Sequence, residues 1–312
     1  MTGKIVILGV FVADTAFRAD RAPRMGETII GNSFALGPGG KGSNQAVAAA
    51  RLGADVTFLS KLGRDPFADM ALKTWADAGV TPRVTQSDDA ATGAAYIFIE
   101  ESTGNNAIII CPGVAATIAV SDVEANANLI ASATAFLTQL EQPLDAAVRG
   151  LEIAREAGAL TILNPAPANS IPESMLALCD YVTPNEIETE TLTGVAVTSV
   201  DDARRAAEVF LARGVGAAVI TLGERGALFH SALQSELVPP VNAGAVVETT
   251  GAGDAFNGGF ATALARGDDP VDAVRFGCAA AGISVTRSGT APSMPTLAEV
   301  EEILARNPGP PV

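Results

Sequence analysis

Short, nearly uninterrupted apolar runs recur along the chain, at Lys4–Leu8, Asp55–Leu59, Ala135–Thr138, Leu160–Leu163 and Ala217–Leu222. Between them, Ser43–Leu52, Pro66–Ala78, Leu144–Ala157 and Asp201–Arg213 are alanine-rich or carry apolar residues at helical spacing. Strands that are apolar throughout are buried on both faces, and strands that alternate with helices pair in parallel. The pattern predicts an α/β fold, a doubly wound, mostly parallel sheet with helices on both faces. Ligands of such sheets bind beyond the carboxyl ends of the strands. Two stretches break the alternation: Glu27–Leu36 and Ala94–Ile110 read as hairpin material, with "ESTGNN" (101–106) as a turn. Neither has a helix of its own to cover it. This predicts a small appended β-sheet, a lid drawn discontinuously from about 11–37 and 92–110 of a single domain spanning 1–312. No Pro-, Gly- or Ser-rich linker and no repeat of fixed period divides the chain.

Composition narrows the choice of function. Apolar residues make up 48% and charged residues 18%, which suits a large core and argues against long disordered stretches. A net charge of −15 provides no field for nucleic acid or an anionic membrane. Any phosphate must therefore be held by local dipoles and a few cations. A single histidine, His230, leaves no basis for a multi-histidine metal site and weighs against a histidine-based triad. Cys111, Cys179 and Cys278 are scattered without a C-x-x-C pair, as expected of free thiols in a reducing, cytoplasmic compartment. No apolar run reaches the roughly 18 residues that span a bilayer. The N-terminal "MTGKIVILGVFVAD", with Lys4 ahead of nine apolar residues, has features of a secretory signal. A buried first strand accounts for it better, because the same register recurs in later strands.

The stretch "ETTGAGDAFNGG" (248–259) carries the first candidate chemistry. Ala252, Phe256, Phe260 and Leu264 recur every four residues, which places Gly251 and Gly253 at the N-terminus of a helix. Amides there lack intrahelical partners, glycines let an anion come close, and the helix dipole favours negative charge. Asp254 falls in the first turn, where a carboxylate can take the proton of an attacking hydroxyl while the amides stabilise a transferring phosphoryl group. The competing reading is an aspartate that only complements its own helix dipole. Gly258 and Gly259 each cost about 1 kcal/mol in a helix interior relative to alanine, so a neighbouring helix or a ligand must approach that face.

The second stretch is "GPGGKGSNQAVAAARLGA" (37–54), a glycine loop opening a helix that presents Lys41 and Asn44. Gly37, Gly39 and Gly42 match G-x-G-x-x-G. A nicotinamide dehydrogenase built on that match needs an acidic residue ending the next strand, whereas "DVTFLSKLG" places Asp55 at its start. A Walker A loop needs Ser or Thr after the lysine, where Gly42 stands. A cation and an amide here suit a hydroxyl-rich ligand, and a simple tight turn is the alternative. Asp14, Glu141, "NPAPA" (164–168), Asn185 with Glu188, and "TLGERG" (221–226) all follow strands. Each serves equally well as a cap, a turn or a ligand contact. Glu141 is the hardest to explain structurally, since a carboxylate directly after an apolar strand needs a partner.

Together, "GGKGSNQAVAAARLGA" early and "TTGAGDAFNGGF" late resemble the two signatures of the ribokinase family, the carbohydrate and nucleoside kinases of phosphofructokinase-B type. "LEQP", "NPAPA", "TPNEIE", "TLGERG" and "VTRSGTAPSMP" (285–295) are similar and in the same order, so the resemblance spans nearly the whole chain. It implies a doubly wound α/β domain whose β lid closes over a sugar and often mediates homodimers. It further implies that ATP donates its γ-phosphoryl group to a primary hydroxyl of ribose or a similar small sugar.

By motif position the resemblance makes Asp254 the catalytic base and Gly251, Ala252 and Gly253 the anion hole. Asp14, Gly40, Lys41, Asn44 and Glu141 hold sugar hydroxyls. Asn185, Thr221, Gly223, Gly226, Gly253 and Cys278 face the nucleotide, and Glu188 organises Mg2+ through its waters. A K+ ion sits near Glu248, Thr250, Ser284, Arg287, Gly289 and Ser293. Two positions depart from the pattern. Val12 stands where these kinases usually carry an asparagine, which removes a hydroxyl contact and opens the substrate to nucleosides, ketoses or keto-deoxy sugar acids. Glu248 replaces the more usual aspartate of the potassium loop. A non-catalytic sugar-binding protein on the same fold would have no use for Asp254.

Overall fold

The first apolar run forms β1 (Lys4–Leu8), in which Ile5 to Leu8 are almost wholly shielded from solvent. The computed structural model describes residues 3–307; the first two and last five residues of the expected span lie outside the described residues. The chain passes from β1 into β2 (Val12–Ala19) and β3 (Ser33–Gly39), then α1 (Lys41–Arg51), β4 (Asp55–Leu62), α2 (Pro66–Ala78), β5 (Thr81–Gln86), β6 (Thr92–Glu100) and β7 (Asn106–Gly113). Its middle part holds α3 (Val120–Glu124), α4 (Ala127–Ala131), β8 (Ala135–Thr138), α5 (Leu144–Glu156), β9 (Leu160–Leu163), α6 (Glu173–Leu176), β10 (Tyr181–Val182), α7 (Glu186–Thr193) and α8 (Val200–Ala212). The rest comprises β11 (Ala217–Thr221), β12 (Ala227–Ser231), β13 (Ser235–Val238), α9 (Ala252–Arg266), α10 (Pro270–Ser284) and α11 (Leu297–Arg306).

Nine strands form the main sheet in the order β13-β12-β11-β10-β9-β8-β1-β4-β5. All neighbours are parallel except β11–β12 and β12–β13. Because side chains alternate along a strand, Ile5 and Ile7 enter one core with α1, α2, α9 and α10, while Val6 and Leu8 enter the other with α5 and α8. Helices on both faces thus account for the wholly apolar strands. The exposed edge strand β5 and the antiparallel hairpin β12–β13 extend the predicted sheet.

The remaining four strands form a separate sheet, β3-β2-β6-β7, with β2 and β6 parallel. Strand β3 begins later than the hairpin material the sequence predicts, at Ser33 instead of Glu27. Glu27 is spent on a loop: its carboxylate accepts from both terminal nitrogens of Arg21, at 2.6 and 2.7 Å, and from the Arg24 amide at 2.9 Å.

The two adjacent glycines of α9 are explained by its neighbours. A Cβ at Gly258 would lie 2.5 Å from the Ala48 Cβ and 2.8 Å from the Gln45 carbonyl oxygen of α1. A Cβ at Gly259 would lie 3.1 Å from the Ala280 Cβ and 3.2 Å from the Gly277 Cα of α10. Helix α9 is therefore clamped between α1 and α10, and the α1 contact brings the start of α1 over the start of α9.

Candidate active site

Helix α9 begins at Gly251, whose φ of 82° lies in the left-handed region that favours glycine. Gly253 faces open space, with no atom within 4 Å of the place a Cβ would occupy. Both line a cavity of about 170 Å³ together with Lys41, Asn164, Asn185, Glu188, Thr221 and Asp254. Asp254 is buried, and each of its carboxylate oxygens accepts one amide: Oδ2 from Asn44 Nδ2 at 2.9 Å, Oδ1 from Gln45 Nε2 at 3.1 Å. Burial pushes this carboxyl upward, while the Lys41 charge and the two amides oppose the shift. An aspartate that only complemented its helix dipole would sit in solvent and need none of these partners.

Helix α1 supplies the opposing wall. Gly40 turns the chain into it with φ 88°, and a Cβ there would meet the Val10 carbonyl oxygen at 2.5 Å. The next amide, Lys41 N–H, donates to Glu141 Oε2 at 2.8 Å. Glu141 thereby gains its partner by capping a helix a hundred residues earlier. Burial raises its carboxyl to about 7 against the pull of Lys41, with Asp254 and Asp14 adding to the rise. Asp14, on β2, rises to about 6 through burial and the charges of Asp254 and Glu248. Burial works against the Lys41 ammonium, but Asp254, Glu141 and Glu188 together outweigh it and its shift is upward. The site is one lysine surrounded by carboxylates, so its single cation is held by Asp254, Glu141 and Glu188.

The glycines 37–42 do not form a single loop. Gly37 and Gly39 lie within β3, which pairs antiparallel with β2 (Val12 opposite Gly39), so Gly40 alone makes the turn. A Cβ at Gly39 would lie 2.2 Å from Asp14 Oδ2. The glycine makes room for the carboxylate, and the dinucleotide-loop geometry is absent from this segment.

On the far side of the cavity, Asn185 and Glu188 close a capping box at α7: Asn185 N–H donates to Glu188 Oε2 and Glu188 N–H to Asn185 Oδ1, both at 2.9 Å. Burial raises the Glu188 carboxyl, and the Asn185 amide and Lys41 oppose this. Gly223 (φ 56°) faces open space, whereas Gly226 (φ 89°) packs so that a Cβ would lie 2.1 Å from the Val238 carbonyl oxygen. Gly226 is thus fixed by the β12–β13 hairpin, and Cys278 is buried in the core on α10; neither lines the cavity.

Glu248 Oε2 accepts from Gly289 N–H at 2.9 Å, and Gly251 packs on Thr290, 3.3 Å from its Cα to the position of a Cβ. Ser284 and Ser293 are buried, bonded to the Ala281 and Thr290 carbonyls, and Arg287 pairs with Glu299. Thr250 is exposed. Among the described residues no three His, Cys, Asp or Glu side chains cluster as metal ligands.

Beyond Asn44 and the Asn164 of "NPAPA", the sequence reading does not find the polar side chains behind Asp254. Gln139 Nε2 donates to Gln45 Oε1 at 2.6 Å, and Gln45 Nε2 donates to Asn164 Oδ1 at 3.0 Å as well as to Asp254. Asn164 Nδ2 donates to the Thr183 carbonyl at 3.0 Å, Thr183 Oγ1 to Asn257 Oδ1 at 2.6 Å, and Asn257 Nδ2 to the Gly253 carbonyl at 2.8 Å. These residues come from three strand ends and two helices. Asn257, one turn after the glycines, and Gln45, beside Asn44, are the local signals.

Residues 2–297 match the model of the pfkB family of carbohydrate kinases. The chain is 38% identical over 305 residues to a ribokinase of Haemophilus influenzae, covering 97% of this chain and 99% of that one. It is 34% identical over 305 residues to a deoxyribokinase of Salmonella typhi, with the same coverage of each. It superimposes on the structure of Arabidopsis thaliana ribokinase complexed with ribose and ATP with a TM-score of 0.91, at 30% identity and over 97% and 99% of the two chains.

Proposed function

The chain belongs to the pfkB family of carbohydrate kinases, and from that premise we propose that it transfers the γ-phosphoryl group of ATP to a primary hydroxyl of ribose or a similar small sugar. The observation that carries this reading is the juxtaposition of Asp254, held by both oxygens, with Gly251 and the open backbone of Gly253 in one cavity with Lys41.

Asp254 takes the hydroxyl proton as the sugar oxygen attacks phosphorus, with its upward-shifted carboxyl better matched to that proton than an ordinary aspartate. The amides of Gly251, Ala252 and Gly253 at the start of α9 face the charge that gathers on the transferring group. Lys41 adds the one nearby cation. Asp14, Gly40, Lys41, Asn44 and Glu141 hold the sugar, and the β3-β2-β6-β7 sheet closes over it as a lid within a single domain. Asn185, Thr221, Gly223, Gly226, Gly253 and Cys278 face the nucleotide, of which Asn185, Thr221 and Gly253 line the cavity.

Glu188, a carboxylate beside an anion-binding helix end, fits Mg2+, which keeps several waters and is held mainly by substrate phosphates. When bound, the ion neutralises phosphate charge. Oxygen donors alone, from Glu248, Thr250, Ser284, Gly289, Ser293 and the Arg287 carbonyl, fit an alkali cation such as K+ behind the anion hole. One face of the small sheet exposes Phe17, Phe34, Leu36, Tyr96 and Ile109, an apolar surface that suits a homodimer through the lid. Reaction with ATP and reduced thiols suits the cytoplasm, and no helix among the described residues is long and apolar enough to cross a membrane.

A second reading is favoured by one observation. Val12 is buried on the same face of β2 as Asp14, so an apolar side chain stands beside a sugar-binding carboxylate. Together with the similarity to a deoxyribokinase this supports a sugar with one hydroxyl fewer than ribose. The deciding experiment is ADP release from ATP, magnesium and potassium with a panel of ribose, 2-deoxyribose, ketoses, sugar acids and nucleosides. ADP formation with a sugar supports the kinase reading and identifies the substrate. No ADP above background across the panel overturns it.

A further inference from the structure

We propose that Gln45 is a positioning residue for phosphoryl transfer, fixing the Asp254 carboxylate and tying it to the backbone of the anion hole through a closed ring of buried amides. This deepens the reading of Asp254 as the base and rests on it.

The ring runs from Asp254 Oδ1 to Gln45, Asn164, Thr183 and Asn257, and returns to the Gly253 carbonyl, one residue before Asp254. Gln45 is where it is anchored. Both hydrogens of its Nε2 are used, one on Asp254 and one on Asn164, while its Oε1 accepts from Gln139. With both ends of the amide engaged, the donor that faces Asp254 cannot turn away without breaking three hydrogen bonds. Buried amides with every donor committed hold a fixed geometry, because any rearrangement leaves polar groups unpaired away from water.

The chain gives up local stability to place Gln139. A Cβ on Gly9 would lie 2.5 Å from Gln139 Oε1, and one on Gly42 would lie 2.7 Å from it. Gly42 lies in the first turn of α1, and glycine is a poorer helix former than alanine. Gln139 Oε1 itself has no hydrogen-bond partner. The two glycines therefore admit an amide whose useful end is the Nε2 that orients Gln45. Nothing in the sheet packing calls for a polar side chain at the end of β8.

Two consequences separate positioning from bulk support. Asn44 remains on Oδ2, so the carboxylate without Gln45 keeps one anchor and can swing about it; misplacement of a reacting group by about 1 Å costs on the order of 10²-fold in rate. Loss of a donor to the ionised form also raises the carboxyl further, in a site where Lys41 is the only cation and Glu141, Glu188, Asp14 and Glu248 are the other charges.

The test is Gln45→Met, which keeps the length and removes the amide, with Gln139→Met as the milder companion. Steady-state kinetics should show kcat reduced about 10²-fold with KM for sugar and ATP nearly unchanged, and the acid limb of the kcat profile moved to higher pH. Carbon-13 NMR of the aspartate carboxyls in the ligand-free protein, with the Asp254 signal assigned from Asp254→Asn, should show Asp254 titrating at higher pH in Gln45→Met. This readout does not require turnover. An unchanged Asp254 titration, or losses confined to KM and thermal stability, overturns the proposal. If the wild type is active and Asp254→Asn is not, while Gln45→Met matches the wild type, only the positioning role fails. If Asp254→Asn is as active as the wild type, the underlying assignment of the base fails instead.

Discussion

Asn44 Nδ2 donates to Asp254 Oδ2 across 2.9 Å, although 210 residues separate the two in the chain. The contact joins the first turn of α1 to the first turn of α9, so the helix proposed to hold the sugar also holds the proposed base. Asp254→Asn keeps the size but removes the proton acceptor, and turns an NH2 toward the Asn44 or Gln45 amide. Turnover should fall by about 10²–10⁴-fold while calorimetric sugar affinity stays close to that of the wild type. Comparable turnover in the variant would show that Asp254 is not the base.

Gly253 and Gly258 lie in the same helix and should respond oppositely to alanine. At Gly253 the new methyl meets nothing of the protein, so thermal stability should hold or rise, by up to about 1 kcal/mol from helix propensity. ATP turnover should nevertheless fall, because the methyl fills the space proposed for phosphate. At Gly258 the methyl strikes the Gln45 carbonyl and Ala48, and overpacking of this kind costs about 1–3 kcal/mol. Thermal melts and kinetics of both variants, measured together, check the contrast.

The site carboxyls give stability and sugar affinity opposite dependences on pH. Burial lifts Glu141 from 4.5 to about 7 and Asp14 from 3.8 to about 6, so the ligand-free fold binds more protons than the unfolded chain between these values. Stability supplied by these groups is present at low pH and is lost as pH rises through about 6 and then about 7. Sugar hydroxyls are best accepted by carboxylates, so sugar affinity should strengthen over that same rise. Melting temperatures of Glu141→Gln against wild type isolate the first effect, and calorimetric titrations at several pH values test the second.

Glu188→Gln retains an oxygen to accept the Asn185 amide, so the α7 cap should persist. Its charge is gone, and the magnesium concentration needed for half-maximal rate should rise while the melting temperature changes little. Magnesium titrations of activity with both proteins provide the measurement.

Val12→Asn puts a polar group on the face that carries Asp14. The ratio of kcat/KM for ribose over 2-deoxyribose should rise on the order of 10-fold, the value of one well-made hydrogen bond to a hydroxyl. Competition between the two sugars gives this ratio directly.

Much of this architecture is legible in the chain because wholly apolar strands and amphipathic helices declare themselves locally. Helix α1 starts at Lys41, two residues before the apolar spacing begins, since Glu141 supplies the cap from a distant strand end. β5 and the hairpin β12–β13 escape notice because they lie at the two edges of the sheet, where the apolar pattern weakens. Asp254, Lys41 and Glu141 announce themselves by charge beside glycine or after an apolar strand. Gln45 does not, because its neighbours in space, Asp254, Asn164 and Gln139, are set by the crossing of α1 over α9 and by the order of the strands. Gly258 reports that crossing in the sequence, but only as an unexplained cost.

The placement of the contact residues bears on how such a protein can be redesigned. Glu141 follows β8, Asn164 follows β9, Asn185 follows β10, Thr221 ends β11, and Asp14 rides on the strand that continues from β1. Each lies on a different strand or connection, so the contacts are distributed along the carboxyl edge of the sheet and can be varied one at a time. The α1–α9 pairing has no such independence, because its amides, glycines and carboxylate are interlocked. A library that varies these connections while freezing α1, α9 and the polar side chains of Gln139, Asn164 and Thr183 should change which sugar is accepted and leave the transfer chemistry intact.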